Sequence, residues 1–172
     1  AAELKSIHEK IDARYAGWRR ADAANADRAA FLIPLVLAQY DNAPEDLENR
    51  LRVTAGECGL LRGLDDRSSL VVLAAALNGP ADYAAGFTQL VAQIANKYLR
   101  HFVFYCCGRA VAVLLGNSSD FEEYLHILAD EICQLAERAL GRRASVGVSR
   151  ELARFSDLND AYRQAVEGYL QG

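Results

Sequence analysis

The chain has 172 residues, of which 52% are hydrophobic and 24% charged, and it carries a net charge of −4 with an isoelectric point near 5.4. This composition is that of an ordinary globular domain with one core, and it excludes a disordered or fibrous chain. The acidic balance lacks the positive field that binds phosphate backbones, so we expect no direct nucleic-acid partner. The longest apolar run, residues 31–38, is far shorter than the ~20 residues that span a bilayer, so we expect no membrane partner.

The N-terminal sequence lacks the basic and apolar regions of a signal peptide, which predicts a cytoplasmic protein. The sequence also has no Met, which predicts that it is a piece of something longer. Its four cysteines are too few for a disulfide scaffold at this length and lack the paired spacing of a zinc ribbon. We therefore expect four free thiols, at Cys58, Cys106, Cys107 and Cys133.

Residues 3–20 carry an apolar stripe between charged side chains, formed by Leu4, Ile7, Ile11 and Trp18. Steps of 3, 4 and 7 residues match the inward positions of a heptad and predict an amphipathic helix, so residues 1–25 are interpreted as a coiled-coil-like linker. Two interpretations of the stripe remain open. It either pairs with a second copy in a weak homodimer or packs on the body of its own chain.

Residues 26–172 are predicted to form one domain that opens with two helices. We expect the first to be capped by Asp27 and to begin near Pro34 or kink there. The second follows Asn42 and ends at Gly56 or Gly59. Residues 60–68 are expected to connect these helices to the sheet part of the domain, residues 69–171.

In the sheet part, the apolar residues no longer recur at helical spacing. Residues 70–77 form a continuous apolar run, typical of a strand covered on both faces. A helix over residues 82–98 precedes two strands, 102–105 and 110–115, joined by a tight turn at Gly108-Arg109. The order β-α-β-β-α-β-α is completed by a helix that Ser118, Ser119 or Asp120 caps and Gly141 ends, a strand over 145–149 and a helix after Ser156. This order predicts an α/β (α+β) domain of ferredoxin-like plan, with four strands and helices on one face.

Several segments carry a family resemblance: Phe104-Tyr105 before the hairpin, the strand SVGVS at 145–149 and the closing helix DLNDAYRQAVEGYL at 157–170. With the element order, they resemble the diguanylate-cyclase superfamily and its nucleotide-cyclase-like fold over residues 70–170. The leading helices, FLIPLVLAQYDNAPEDLENRL at 31–51, are similar to those of the degenerate cyclase-like (GGDEF-like) domain of bacterial response regulators. The resemblance implies a two-component regulator in which the domain lies between a receiver domain and an AraC-type helix-turn-helix domain.

Active members of that superfamily carry Gly-Gly-Asp/Glu-Glu-Phe at the hairpin and an aspartate at the end of the first strand, and these carboxylates hold the metal. The equivalent hairpin positions here are Cys106, Cys107, Gly108, Arg109 and Ala110, and the strand end reads Ala74, Ala75 and Ala76. Hard cations need oxygen donors, and neither segment supplies one. The resemblance therefore implies a degenerate site with no cofactor, no metal and no catalysis.

Other candidate chemistry is weak. Cys106 and Cys107, as neighbours on a strand, are expected to point to opposite faces and to serve as small hydrophobic residues. His126 lies within one or two helical turns of Glu122, Glu123, Asp130 and Cys133, so these residues could form a surface metal site. Polar neighbours of this kind are common on helix surfaces, however, and do not by themselves indicate a site. Arg138, Arg142 and Arg143 are interpreted as a solvated cap at a helix end.

The sequence thus predicts a non-catalytic sensory or dimerisation module that relays a signal from a receiver domain to a DNA-binding domain of the same polypeptide. One alternative is a sensor that binds a nucleotide-like small molecule in the old cyclase cleft, because such a cleft leaves no linear motif. Another is a divergent nucleotide cyclase or phosphodiesterase. The triple alanine and Arg109 argue against it.

Overall fold

A computed structural model of the chain describes residues 26–38, 46–60, 68–79 and 83–171. Its elements in chain order are α1 (residues 26–37), α2 (Leu47–Glu57), β1 (Ser69–Leu77), α3 (Ala84–Ala95), β2 (Arg100–Cys106), β3 (Arg109–Gly116), α4 (Ser118–Leu140), β4 (Ala144–Val148) and α5 (Leu158–Gln171). A single 3₁₀ turn, Phe155–Asp157, leads into α5. The predicted order β-α-β-β-α-β-α, preceded by two helices, is confirmed.

The four strands form one sheet in the order β2-β3-β1-β4, and every neighbouring pair is antiparallel. This is the strand order of a ferredoxin-like domain, as the sequence predicts. β1 lies inside the sheet, between β3 and β4, so its backbone groups are paired on both edges. The register sets Leu73 opposite Ala112 on one side and opposite Val148 on the other.

Helices cover both faces of the sheet, so the prediction of helices on one face is wrong. Leu70, Val72 and Ala74 of β1 pack into a core with α1, α2 and α5, while the alternate residues Val71 and Leu73 pack into a second core with α3 and α4. Successive strand side chains point to opposite faces, so two cores require apolar residues at every position. The continuous apolar run at 70–77 is the sequence signature of this arrangement.

The leading helices are bonded to the beginning of α5. Both carboxylate oxygens of Glu48 on α2 accept hydrogen bonds, from the backbone N–H of Phe155 at 2.8 Å and of Ser156 at 3.1 Å. The Asn159 amide donates to the Val36 carbonyl of α1 at 2.6 Å. Two helices that are remote in sequence from α5 are thereby held on the same face of the sheet.

Two helix starts differ from the prediction. Residue 26 is already helical, so Asp27 lies inside α1, and this helix continues through Pro34 to residue 37. α4 begins one residue earlier than the predicted caps, because Asn117 is its N-cap and the Asn117 N–H donates to Asp120 Oδ2 at 3.1 Å. Its predicted end is confirmed at Gly141, whose φ of 63° is the left-handed conformation that glycine adopts at low cost.

None of the described helices combines the length and apolarity needed to cross a membrane.

Candidate functional site

The hairpin between β2 and β3 closes through a loop of two residues. Cys106 pairs with Arg109, and between them Cys107 and Gly108 have φ values of 53° and 79°. Two central residues with positive φ define the hairpin turn that matches the strand twist best and that favours Asn-Gly. The turn is therefore Cys107-Gly108, one residue earlier than the predicted Gly108-Arg109, and Cys107 is held in a conformation that non-glycine residues rarely adopt.

The turn conformation brings two thiols together. Cys106 Sγ and Cys107 Sγ are 3.3 Å apart, so the prediction that these side chains point to opposite faces is wrong. Strand alternation stops at Cys106, because Cys107 already belongs to the turn. Cys106 is half-buried against the core beneath α5, whereas Cys107 is exposed. Burial, together with the neighbouring Cys107, raises the pKa of the Cys106 thiol to about 11.

Arg109 links the base of the hairpin to α5. Its Nη1 donates to the Tyr162 hydroxyl at 3.1 Å and to the Cys107 carbonyl at 3.3 Å. Tyr162 is only 9% exposed, and burial raises the pKa of its phenol while the Arg109 guanidinium lowers it. The sequence gives no sign of this partnership, since 53 positions separate the two residues. A fixed positive charge thus stands where the resemblance implies a metal-binding carboxylate.

The triple alanine of β1 lies beside the hairpin. Ala75 pairs with Ala110 and Ala74 with Val111, just after the turn. Ala74 and Ala75 are completely buried and Ala76 is half-buried. The structure therefore brings the end of β1 and the hairpin turn to one end of the sheet. What they present there is methyl groups, thiols and a guanidinium.

These groups do not fit a magnesium ion. Magnesium and calcium take oxygen ligands, while thiols suit soft metals and a guanidinium repels cations. Across the described part of the chain, no three or more His, Cys, Asp or Glu side chains are grouped so as to hold a metal ion, and His126 with its acidic neighbours forms no such group. The side chains at this end of the sheet therefore lack the oxygen ligands that magnesium needs.

Arg142, one of the three arginines predicted to cap the end of a helix, makes packing contacts in the structure. The Arg142 guanidinium lies 5.4 Å from the centre of the Tyr83 ring, a cation–π contact. A Cβ at Gly79, where φ is 123°, would come within 2.7 Å of Arg142 Nη1. Arg142 therefore packs against Gly79 and Tyr83, instead of being only a solvated helix cap.

A polar cavity that no sequence pattern indicates lies at the opposite end of β2 from the turn. Its volume is about 410 Å³, and its charged and polar lining includes Arg28, Glu57, Arg100 and His101. Arg28 Nε donates to the Cys58 carbonyl at 3.0 Å and Arg100 Nη1 to the Leu60 carbonyl at 3.3 Å. These residues come from separate elements, so no local motif indicates the cavity.

The predicted association residues Leu4, Ile7, Ile11 and Trp18 lie outside the described residues.

Comparison with known proteins gives one family match. A profile described as "GGDEF-like domain" matches residues 42–168. No curated protein matches the sequence. A similar solved structure is the C-terminal segment of the alpha subunit of aIF2 from Pyrococcus abyssi, with 14% identity, coverage of 69% of this chain and 70% of that chain, and a TM-score of 0.40.

Proposed function

We propose that this chain, which belongs to the GGDEF-like domain family, is a non-catalytic module that relays a signal inside a response-regulator transcription factor. The observation that carries the non-catalytic part is the hydrogen bond from Arg109 to Tyr162. It fixes a cation against α5 at the end of the sheet where an active cyclase collects a metal and a triphosphate. Ala74, Ala75 and Ala76 lie alongside, and their methyl groups offer a metal ion no oxygen ligand.

A relay needs a rigid connection between the incoming and outgoing ends of the module. The Glu48 carboxylate and the Asn159 amide join the leading helices to the beginning of α5, which is the last element of the domain. A displacement of α1 or α2 would therefore act on α5 directly as well as through the shared core. This supports a path from an N-terminal receiver domain to a C-terminal DNA-binding domain of the same polypeptide, in a cytoplasmic protein.

Dimerisation is the second part of the proposal. The stripe of Leu4, Ile7, Ile11 and Trp18 precedes α1 in the chain, where a paired helix would set the spacing of two domains. Most helical stability in proteins comes from packing of the apolar face, so the stripe needs a partner to form a stable helix. A second copy supplies one, and a signal that changes the pairing would reach α1 next.

The test of the relay uses the full-length gene product. Beryllofluoride, a stable mimic of an aspartyl phosphate, should change the affinity for the operator DNA of the wild type. Glu48→Gln should weaken that response while DNA binding itself persists. Asp46→Asn alters an exposed carboxylate just before the same helix, where it makes no side-chain cap hydrogen bond, and should leave the response unchanged. Absence of a receiver or helix-turn-helix domain from the full-length product, or an equal response in Glu48→Gln, would contradict the relay.

The cavity at the N-terminal end of β2 favours a second candidate function, a sensor of small anions. Its volume of about 410 Å³ lies in the range of ligand sites, and two guanidinium groups and one imidazole line it against a single carboxylate, that of Glu57. The ligand of this candidate function would bind at the other end of β2 from the hairpin turn. A thermal shift with a panel of phosphorylated and carboxylated metabolites tests it, because a true ligand should raise the melting temperature of the wild type and not of Arg100→Ala.

A further inference from the structure

Two adjacent thiols lie at the tip of the β2–β3 hairpin, and the proposed relay gives them no role. Cys106 Sγ and Cys107 Sγ are 3.3 Å apart, and Cys107 is exposed to solvent. The positive φ of Cys107 brings them together, since neighbouring side chains on a regular strand would point to opposite faces. The hydrogen bond from Arg109 Nη1 to the Cys107 carbonyl helps to hold this turn in place. The pair is therefore organised before any ligand arrives.

The geometry favours an atom between the sulfurs over a bond that joins them directly. Neighbouring Cα atoms across a trans peptide are about 3.8 Å apart, and protein disulfides usually need at least about 4.4 Å, so a direct bond would be strained. Two bonds of about 2.3 Å, the length of a zinc–sulfur bond, would instead span the observed 3.3 Å when they meet at about 90°.

The bond angle at the bridging atom and the number of ligands it needs indicate which element fits between the two sulfurs. A tetrahedral zinc ion needs about four ligands at wider angles. Within the described residues, no group of three or more metal-ligating side chains exists to complete such a site. Trivalent arsenic that carries one organic group needs only two further bonds, prefers sulfur and keeps its bond angles close to a right angle.

We propose that Cys106 and Cys107 form a binding site for monosubstituted trivalent arsenicals. Exposed Cys107 forms the first arsenic–sulfur bond and Cys106 closes the ring. The two arsenic–sulfur bonds replace the bonds from arsenic to oxygen, and the oxygen leaves with the two thiol protons as water. Arsenic stays trivalent and the sulfurs are not oxidised, so no further reactant is needed.

Phenylarsine oxide is the probe. We expect the wild type to gain one phenylarsenic group by intact mass and to lose two of its four titratable thiols. Because the second bond forms within the molecule, the adduct should resist excess glutathione, a monothiol, and yield to dimercaptopropanol, a dithiol. An adduct that glutathione removes readily would overturn the proposal.

Variants locate the site. Cys107→Ser changes an exposed side chain and should fold normally, yet it should bind phenylarsine oxide roughly 100-fold more weakly, because one thiol alone gains nothing from ring closure. The control, Cys58→Ser with Cys133→Ser, leaves the hairpin intact and should bind like the wild type. Wild-type affinity in Cys107→Ser, or loss of binding in the control, would overturn the assignment.

Discussion

At the scale of single residues, the hairpin turn carries Arg109 where the family resemblance leads one to expect a carboxylate. Arg109 brings a fixed positive charge to the turn, and its hydrogen bond to Tyr162 uses that charge within the protein. The sequence was sufficient to predict the missing carboxylates, because their absence is visible in the linear order. It could not predict the partner, since Tyr162 approaches Arg109 only once α5 has packed on the sheet.

The Arg109 and Tyr162 pair should contribute measurable coupling. In a double-mutant cycle of Arg109→Met and Tyr162→Phe, we expect a coupling free energy of about 1 kcal/mol in urea unfolding, the usual value of a partly buried hydrogen bond. In Arg109→Met, loss of the cation should also raise the pKa of Tyr162. Phenolate absorbance would show this shift, with the double variant as its baseline. Additive free energies and an unchanged titration would contradict the pairing.

The backbone at Cys107 should respond to residue type. Because φ is 53°, Cys107→Asn should be at least as stable as the wild type, and Cys107→Val should be less stable than Cys107→Asn by about 1–2 kcal/mol. Both variants remove the thiol, so their difference in urea unfolding isolates the backbone effect. Equal stability of the two variants would show that the turn has another conformation.

At the scale of elements, the apolar periods predicted the strands and helices well, because each element has to bury a face of its own. The number of covered faces was harder to predict. α3 and α4 belong to the ferredoxin-like plan and cover one face, whereas the second layer combines α5 with helices that precede the sheet in sequence. The continuous apolar run of β1 indicated that both faces of the sheet are covered, but it does not identify the helices of the second layer.

Glu48 should stabilise this second layer. Its carboxylate accepts hydrogen bonds from the Phe155 and Ser156 N–H groups and its side chain is 12% exposed, so Glu48→Ala should lower the free energy of unfolding by about 2 kcal/mol. The matched control is Asp46→Ala, since Asp46 also pairs with an arginine four residues on but is 68% exposed, and it should change stability by no more than about 0.5 kcal/mol. Chemical denaturation measures both, and equal effects would refute the role of Glu48.

At the scale of the whole molecule, association is predicted to depend on the N-terminal stripe. Burying each large apolar side chain supplies roughly 1.5–3 kcal/mol before the costs of association, which suits a micromolar dimer. Ile7→Asp with Ile11→Asp should therefore sediment as a folded monomer, while Ser6→Asp with Ala13→Asp adds the same charge off the stripe and should stay dimeric. A wild type that remains monomeric at high concentration would assign the stripe to packing within its own chain.

The most direct test of the central claim, that this GGDEF-like domain is non-catalytic, is titration of the protein with GTP and Mg²⁺ by calorimetry, followed by chromatography of the mixture. An active diguanylate cyclase serves as the positive control. Because Ala74 to Ala76 and Arg109 provide no oxygen ligands for the metal, we expect no binding heat above that of dilution and no cyclic dinucleotide. Tight magnesium-dependent binding of GTP, or turnover by the purified protein, would contradict the account.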